Sequence, residues 1–269
     1  MQLDFSAFVE TIKKSSPVIA FGIGLFLISS LITISQGIKI IHEYYTNTLG
    51  YKTKLIKNIE LLYAGVNIDY FKQNFGAPLF VNHNLKINRI EYIFINKYFY
   101  LQAITDEVDT VLAYSITTRE SDFNPSIELG PYTNENKIVN IKLGITHFSD
   151  LKDLGNPGNI FSFVGAHDFF YGEEYYFGNP GKYQSFYFAT NESGYFDTKD
   201  EFGLPVEEKD IQIDNPRVQK FRGSQIINTY MITAPLTDAK DLFLNGFSNV
   251  NFFGGFYIGP NSSQVRVIP

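Results

Sequence analysis

An uncharged run of 24 residues, from Ser15 to Ile38, constrains this chain more than any other feature of its sequence. The hydrocarbon core of a bilayer is about 30 Å thick, and roughly 20 helical residues cross it. A cleaved signal peptide has a shorter apolar region, of about 7–15 residues, followed by a cleavage site with small residues. The run is longer and no such site follows it. The sequence therefore predicts an uncleaved anchor that holds the rest of the chain at a lipid bilayer.

The lysines around this run predict its orientation. Four lysines follow the run closely and two precede it: Lys39, Lys52, Lys54 and Lys57 against Lys13 and Lys14. Lysine and arginine accumulate on the cytoplasmic flank of a membrane span. We therefore expect a single-pass protein whose carboxyl-terminal domain lies in the cytoplasm.

The chain is expected to divide into four segments. Residues 1–16 have apolar side chains at helical spacing and predict an amphipathic helix in the headgroup layer, with a disordered tail as the alternative. Residues 17–38 are the predicted transmembrane helix, and residues 39–66 a helical stalk. Residues 67–269 are the predicted soluble α+β sensing domain.

Polar residues recur along one side of the predicted span. Ser29, Thr33 and Gln36 are separated by about one helical turn each, and a glutamine facing lipid is unfavourable. Several copies of the helix could place these three residues along a pore, with Phe26 as an apolar constriction. The alternative is a seam between two helices, where small and polar residues allow close approach.

The segment after the anchor predicts a helix followed by antiparallel strands. Asn67 is a favourable N-cap for a helix over Ile68–Phe75, and Gly76 with Pro78 ends it. Strands are predicted over Ile90–Ile95, Tyr98–Ile104 and Val111–Thr117. The predicted fold class is therefore α+β, a helix with an antiparallel sheet.

A similar order recurs later in the chain. The run Ile145–Leu154 predicts a helix, and Gly155 with Pro157 ends it as Gly76 and Pro78 end the first. Short aromatic strands follow, at 161–164, 175–177, 183–190 and 195–196. This recurrence suggests a duplicated module, and chance repetition of a common helix stop is the alternative.

Catalytic motifs are missing from the sequence. It contains no cysteine, no phosphate-binding glycine loop, no dinucleotide fingerprint and no nucleophile elbow. His167 with Glu173 is the one cluster that suggests acid–base chemistry, and a lone histidine is more often structural. We expect no enzymatic activity, no metal and no cofactor, with a hydrolase built on these two residues as the least favoured reading.

The run from Tyr171 to Tyr183 predicts a ligand site. Aromatic residues and a Gly-Asn-Pro-Gly turn could stack bases and bind a phosphate through Tyr176, Asn179, Lys182 and Tyr183. Arg217, Lys220 and Arg222 form the densest basic patch after the anchor and complete the predicted site. The alternatives are a buried aromatic core and a solvated basic face.

The acidic balance limits what this site can bind. Residues 61–269 carry 16 basic and 24 acidic side chains. Because non-specific duplex binding needs many phosphate contacts, we expect a small pocket rather than a broad DNA-binding surface.

With its anchor, its helix–Gly-x-Pro–meander order and its Tyr-Phe-Gly-Asn-Pro-Gly-Lys-Tyr segment (176–183), the chain resembles the membrane effectors of the Hailong bacterial anti-phage defence system. The resemblance implies a homotetrameric ion channel of the bacterial inner membrane. It also implies a gating ligand, a nucleotide or short single-stranded DNA made by a partner nucleotidyltransferase, and death of the infected cell on opening. A membrane-tethered module that binds another protein, without a pore, is the alternative from a different class.

Overall fold

The computed structural model describes residues 50–130, 138–164, 169–179, 182–196, 212–237, 242 and 256–265. In the predicted span it describes Phe21, Ser29, Ile32, Thr33, Gln36 and Gly37, all helical. The chain divides into two compact units, Met1–Leu55 and Ile56–Pro269. The predicted interfacial helix at residues 1–16 and the first part of the predicted stalk lie outside the described residues. Within the described part of the chain, no helix is long and apolar enough to cross a membrane.

Four α-helices and one 3₁₀ helix are described. They are α1 (Tyr51–Glu60), α2 (Ile68–Phe75), the 3₁₀ helix (Phe148–Leu154), α3 (Pro216–Ser224) and α4 (Ser262–Val265). Helix α2 confirms its prediction: the side chain of Asn67 accepts a hydrogen bond from the backbone N–H of Asp69, and the helix ends at Phe75 before Gly76.

Ten strands make up the rest of the described structure. They are β1 (Phe80–Asn84), β2 (Arg89–Ile95), β3 (Phe99–Thr105), β4 (Val111–Thr118), β5 (Ser126–Leu129), β6 (Val139–Lys142), β7 (Asn159–Val164), β8 (Phe169–Asn179), β9 (Lys182–Asn191) and β10 (Thr229–Thr233). Eight of them form one antiparallel sheet in the order β1-β2-β3-β4-β10-β9-β8-β7, and β5 pairs with β6. The α+β class with a large antiparallel sheet is confirmed.

The strand register is symmetric about the pair formed by Ser115 in β4 and Met231 in β10. A continuous row of paired residues crosses all eight strands through this pair. The row begins four residues after Gly76 and ends four residues after Gly155. These two glycines have nearly the same backbone angles, with φ of 83° and 87° and ψ of −162° in both. From β1 to β7 the row is Phe80, Ile93, Gln102, Ser115, Met231, Tyr187, Glu174 and Asn159.

Both faces of the sheet are covered, which explains why all seven residues of β3 are buried. On one face, Phe71 of α2 packs edge-on against Tyr114, with ring centroids 5.6 Å apart, and α3 also packs there. We call it the helical face. On the other, the side-chain amide of Asn191 donates hydrogen bonds to the carbonyls of Ile258 and Pro260. We call this the C-terminal face, because the segment 256–265 covers it.

Several predicted elements differ in the structure. Among its described residues the predicted stalk is helical only in α1, and the strand expected at 175–177 is part of the longer β8. The helix expected over Ile145–Leu154 is a 3₁₀ helix from Phe148, because His147 is extended and forms an isolated β-bridge with Ile226. No strand forms at residues 195–196. The backbone N–H of Tyr195 instead donates to the carbonyl of Thr118, which ties this turn to the end of β4.

Candidate functional site

The β8–β9 hairpin carries most of the predicted ligand residues. Its last described pair is Asn179 with Lys182, and Pro180 and Gly181 of the predicted turn lie outside the described residues. Neighbouring side chains along a strand project to opposite faces of a sheet. Each face of this hairpin therefore presents a different set of groups.

On the helical face, Glu173 and Arg222 form a buried ion pair. The Nε of Arg222 donates to Oε1 of Glu173 at 2.7 Å, and Nη2 donates to Oε2 at 3.3 Å. The glutamate side chain is fully buried and the arginine side chain is 6% exposed. Each charge has taken the other as its partner in place of water, which offsets the cost of burying both.

Two tyrosines complete the coordination of the Glu173 carboxylate. The hydroxyl of Tyr171 donates to Oε1 at 2.6 Å, and that of Tyr175 donates to Oε2 at 2.7 Å. Burial and the adjacent Glu173 charge raise the pKa of both tyrosines, so both hydroxyls keep their protons. Burial alone would lower the pKa of Arg222, but the Glu173 carboxylate raises it. With four donors on its two oxygens, Glu173 is a structural carboxylate.

Glu174, the next residue, is buried on the C-terminal face. Its Oε1 accepts hydrogen bonds from the hydroxyls of Ser185 and Tyr187, both at 2.8 Å, and its Oε2 accepts one from the side chain of Asn159. The consecutive pair of glutamates is thus divided between the two faces. Glu173 is held by two tyrosines of its own strand and by Arg222 of α3, whereas the three donors to Glu174 come from β7 and β9.

Tyr176 and Tyr183 are the exposed aromatic residues of this hairpin. They are 58% and 41% exposed. Tyr183 pairs with Gly178, two residues along from Tyr176, so the two rings project from the C-terminal face as diagonal neighbours. The structure therefore brings these two predicted residues together on an open surface, with the backbones of Asn179 and Lys182 at the tip beyond.

Helix α3 places the basic patch elsewhere. Asn215 caps the helix, Pro216 begins it, and Val218 and Phe221 are buried against the sheet. The ring of Phe221 lies 4.8 Å from that of Tyr171 on the helical face. Arg222 follows Phe221 on the same inward side of the helix, and its side chain is therefore buried.

Arg217 and Lys220 lie on the outward side of α3 and are exposed. Their helix covers the helical face, whereas Tyr176 and Tyr183 project from the C-terminal face. The predicted site is thus divided by the sheet into an aromatic part and a basic part, and Arg222 is engaged by Glu173.

Comparisons with known proteins place no family name on the chain. No family model matches it, and no curated protein matches it. Among solved structures, the chain is similar to a cysteine-rich secretory protein from Staphylococcus aureus subsp. aureus Mu50, with a TM-score of 0.34 and 11% sequence identity. The match covers 64% of this chain and 44% of that one, so the chain spans less than half of that protein's length.

A second buried carboxylate network was not predicted. Glu91, in the centre of β2, accepts hydrogen bonds from Gln264 at 2.8 Å, from Gln102 at 2.5 Å and from Asn82 at 3.4 Å. Gln102 in turn accepts from the backbone N–H of Gly259. Burial raises the pKa of Glu91, and the three hydrogen bonds lower it in part. A charged residue inside the apolar run Ile90–Ile95 was the signal that could have revealed this network.

The predicted pore residues are described only in part. Ser29, Thr33 and Gln36 are helical, and the Thr33 hydroxyl donates to the carbonyl of Ser29 at 2.9 Å. Phe26 lies outside the described residues.

The remaining chemical candidate is the pair of His167 and Glu173. His167 lies outside the described residues, and Glu173 is engaged by Arg222 and two tyrosines. Within the described part of the chain, no group of three or more histidine, aspartate or glutamate side chains could hold a metal ion.

Proposed function

We propose that this protein is a non-catalytic membrane effector whose α+β domain binds a nucleotide or a short single-stranded DNA on the β8–β9 hairpin. The observation that carries the proposal is the exposure of Tyr176 and Tyr183 side by side on one face. Exposed tyrosine rings offer a flat aromatic surface, and nucleic-acid bases stack on such rings. Two adjacent rings would accept one or two bases.

The basic residues of α3 set a length requirement on this ligand. Arg217 and Lys220 belong to the helical face, so a mononucleotide on the tyrosines would not reach them. A strand of several nucleotides would pass around the edge of the sheet to place its phosphates there. Since few cations are involved, affinity should fall only modestly as salt concentration rises.

The membrane part of the proposal rests on the uncharged run at residues 15–38 and on the polar side formed by Ser29, Thr33 and Gln36. A homotetramer would surround a channel with four copies of that side, since a single span encloses nothing. As the resemblance to anti-phage effectors implies, the ligand would gate ion flow through the bacterial inner membrane, with the sensing domain in the cytoplasm.

The alternative, a tethered protein-binding module, is favoured by strand β1. It forms one edge of the large sheet and pairs only with β2 in the described structure. Leu79, Phe80 and Val81 are 56%, 37% and 48% exposed there. An uncovered apolar edge is a template for an added strand from a partner.

We also infer that the large sheet consists of two copies of one module. Each half has a helix, a Gly-x-Pro stop and four strands in the same order. The symmetric row through Ser115 and Met231 supports this, because chance repetition of a helix stop would not also match the register of every strand. The two halves would then have diverged, and the Tyr176–Tyr183 surface belongs to the second alone.

One measurement tests the proposed function. The full chain is purified, and its mass is determined by light scattering while nucleic-acid absorbance is recorded on the same peak. We expect a tetramer that carries or binds a labelled oligodeoxyadenylate. An oligomer that neither carries nor binds short single-stranded DNA contradicts the proposal and favours the protein-binding alternative.

A further inference from the structure

A cavity of about 470 Å³ opens on the helical face of the sheet, within the unit 56–269. Its size falls in the range of about 300–1,000 Å³ that small-molecule sites occupy. Tyr114 in β4 and Tyr230 in β10 line it from neighbouring strands at the centre of the sheet. The Tyr176–Tyr183 surface projects from the opposite face, so this cavity is a separate feature.

The charged groups of the cavity are acidic. Glu60, the last residue of α1, and Glu128, in β5, both line it and both are exposed, so their carboxylates lie where the cavity meets solvent. The described lining residues include no lysine, arginine or histidine. Two carboxylates without a cation repel an anionic ligand and attract a cationic one.

A buried tyrosine, Tyr230, lines the same cavity. Tyr230 is 3% exposed, and no residue in the described part of the chain accepts a hydrogen bond from its hydroxyl. Tyr114, by contrast, donates to the carbonyl of Leu62 at 3.0 Å. Burial, together with the nearby Tyr114 and Glu60, raises the pKa of Tyr230, so the group stays a neutral hydroxyl. This neutral hydroxyl can donate a hydrogen bond to a ligand in the cavity.

The remaining walls are mainly aliphatic. They are formed by Ile59, Leu62, Ile127 and Ile232, with Ser126 as one polar residue. A ligand that fits must therefore combine a positive group with an apolar chain.

We infer that this cavity binds a short aliphatic amine or guanidinium compound. Its charged group lies between the carboxylates of Glu60 and Glu128, and its chain packs on the isoleucines. A polar group on the ligand meets the Tyr230 hydroxyl. The same chemistry is offered by a free amine and by a lysine or arginine side chain of a partner protein.

Three probes with the same pentyl chain test the inference on the purified full chain by isothermal titration calorimetry. Pentylamine is cationic, 1-pentanol is neutral and hexanoate is anionic. We expect pentylamine to bind and the other two to bind at least about tenfold more weakly. Equal binding of the amine and the alcohol, or no binding of the amine, overturns the inference.

Variants then assign the site. Glu60→Gln and Glu128→Gln should each weaken pentylamine binding by about tenfold, since each removes one charge from the cavity. Glu107→Gln makes the same change at an exposed turn outside the cavity and should leave the affinity unchanged. Equal affinities of all three variants would place the amine elsewhere.

The source of the ligand is distinguished by a second probe. N-acetyl-lysine amide carries the same ammonium group on a backbone. Binding as tight as that of pentylamine supports a partner side chain, and weaker binding supports a free amine. This experiment uses no nucleic acid, so its failure is independent of the proposed function.

Discussion

Arg222 of α3 and Glu173 of β8 form an ion pair that joins a helix to the centre of the second half of the sheet, at 2.7 Å between Nε and Oε1. The two residues are 49 positions apart in the chain. Arg222 was predicted to bind the ligand. It instead supports the hairpin that carries Tyr176 and Tyr183.

Replacing Arg222 should therefore act on stability. Arg222→Met leaves the Glu173 carboxylate buried without its cation and should lower the free energy of unfolding by about 3–5 kcal/mol. Lys220→Met makes the same kind of change on the outward side of the same helix and should change it by less than about 0.5 kcal/mol. Urea denaturation of the full chain measures both. Similar values for the two variants would show that the pair contributes little.

Ligand affinity should instead depend on the exposed tyrosines. A base stacked on an aromatic ring contributes about 1–3 kcal/mol, so Tyr176→Ala and Tyr183→Ala should each weaken binding of a labelled oligodeoxyadenylate by about 5–150-fold. Fluorescence anisotropy measures the affinity. Tyr63→Ala, at a tyrosine that is 57% exposed and outside the hairpin, is the control and should have no effect. An unchanged affinity in both hairpin variants would exclude this surface as the site.

The two helix-stop glycines should share one backbone requirement. Gly76 and Gly155 have a positive φ with an extended ψ, a combination that side chains rarely adopt, and no neighbouring atom lies within 4 Å of an added Cβ. Gly76→Ala and Gly155→Ala should each cost about 1–3 kcal/mol through backbone strain alone.

Gly223 supplies the matched control for these two glycines. It is exposed within α3 and also has open space around an added Cβ. Gly223→Ala should raise stability by about 0.5–1 kcal/mol, because alanine favours the helix. Thermal unfolding of the three variants measures whether each substitution raises or lowers stability. A loss of stability in all three would mean that the positive φ does not cause the loss at Gly76 and Gly155.

The buried Glu91 should make stability depend on pH. Its pKa is raised in the folded chain above the ordinary 4.5, so the native state holds this proton more tightly than the unfolded state does. Stability from this group is complete below about pH 4.5 and declines as pH rises through the raised pKa, by at most about 1.4 kcal/mol per pH unit. Glu91→Gln cannot titrate and should have a flatter profile. Urea denaturation from pH 4.5 to 8 compares the two, with Glu107→Gln as the exposed control; parallel profiles for wild type and Glu91→Gln would contradict the prediction.

The proposed pore should fail when its polar side is removed. Gln36→Leu combined with Thr33→Leu should abolish ion flux and growth arrest in a triggered cell, because the path would become apolar and dry. Oligomer mass and ligand binding should be unchanged. A membrane-potential dye reports the flux, and Ile32→Leu is an apolar control in the same helix. Wild-type flux in the double variant would contradict the channel and favour the alternative, a seam between two helices.

Local features of the sequence were sufficient for the elements they encode. Asn67 and Gly76 predicted both ends of α2, since capping and left-handed backbone depend on residues a few positions apart. Strands β2, β3 and β4 were predicted within about two residues, because β-branched and aromatic runs between turns are local signals, whereas β1 was not predicted. The Gly-x-Pro stop recurs in the sequence, and in the structure four strands of the large sheet follow each stop.

Only the tertiary structure decided which faces meet. A basic residue in a sequence is read as exposed, yet Arg222 is buried because Val218 and Phe221 turn that side of α3 toward Tyr171, and Glu173 lies there. Because side chains alternate along a strand, Tyr176 projects from the other face, and neighbouring residues of one motif lie on opposite sides of the sheet. The sequence by itself determined the periodicity and ends of the elements. The pairing of Ser115 with Met231 and of Arg222 with Glu173 depended on contacts between distant segments, which no local pattern specifies.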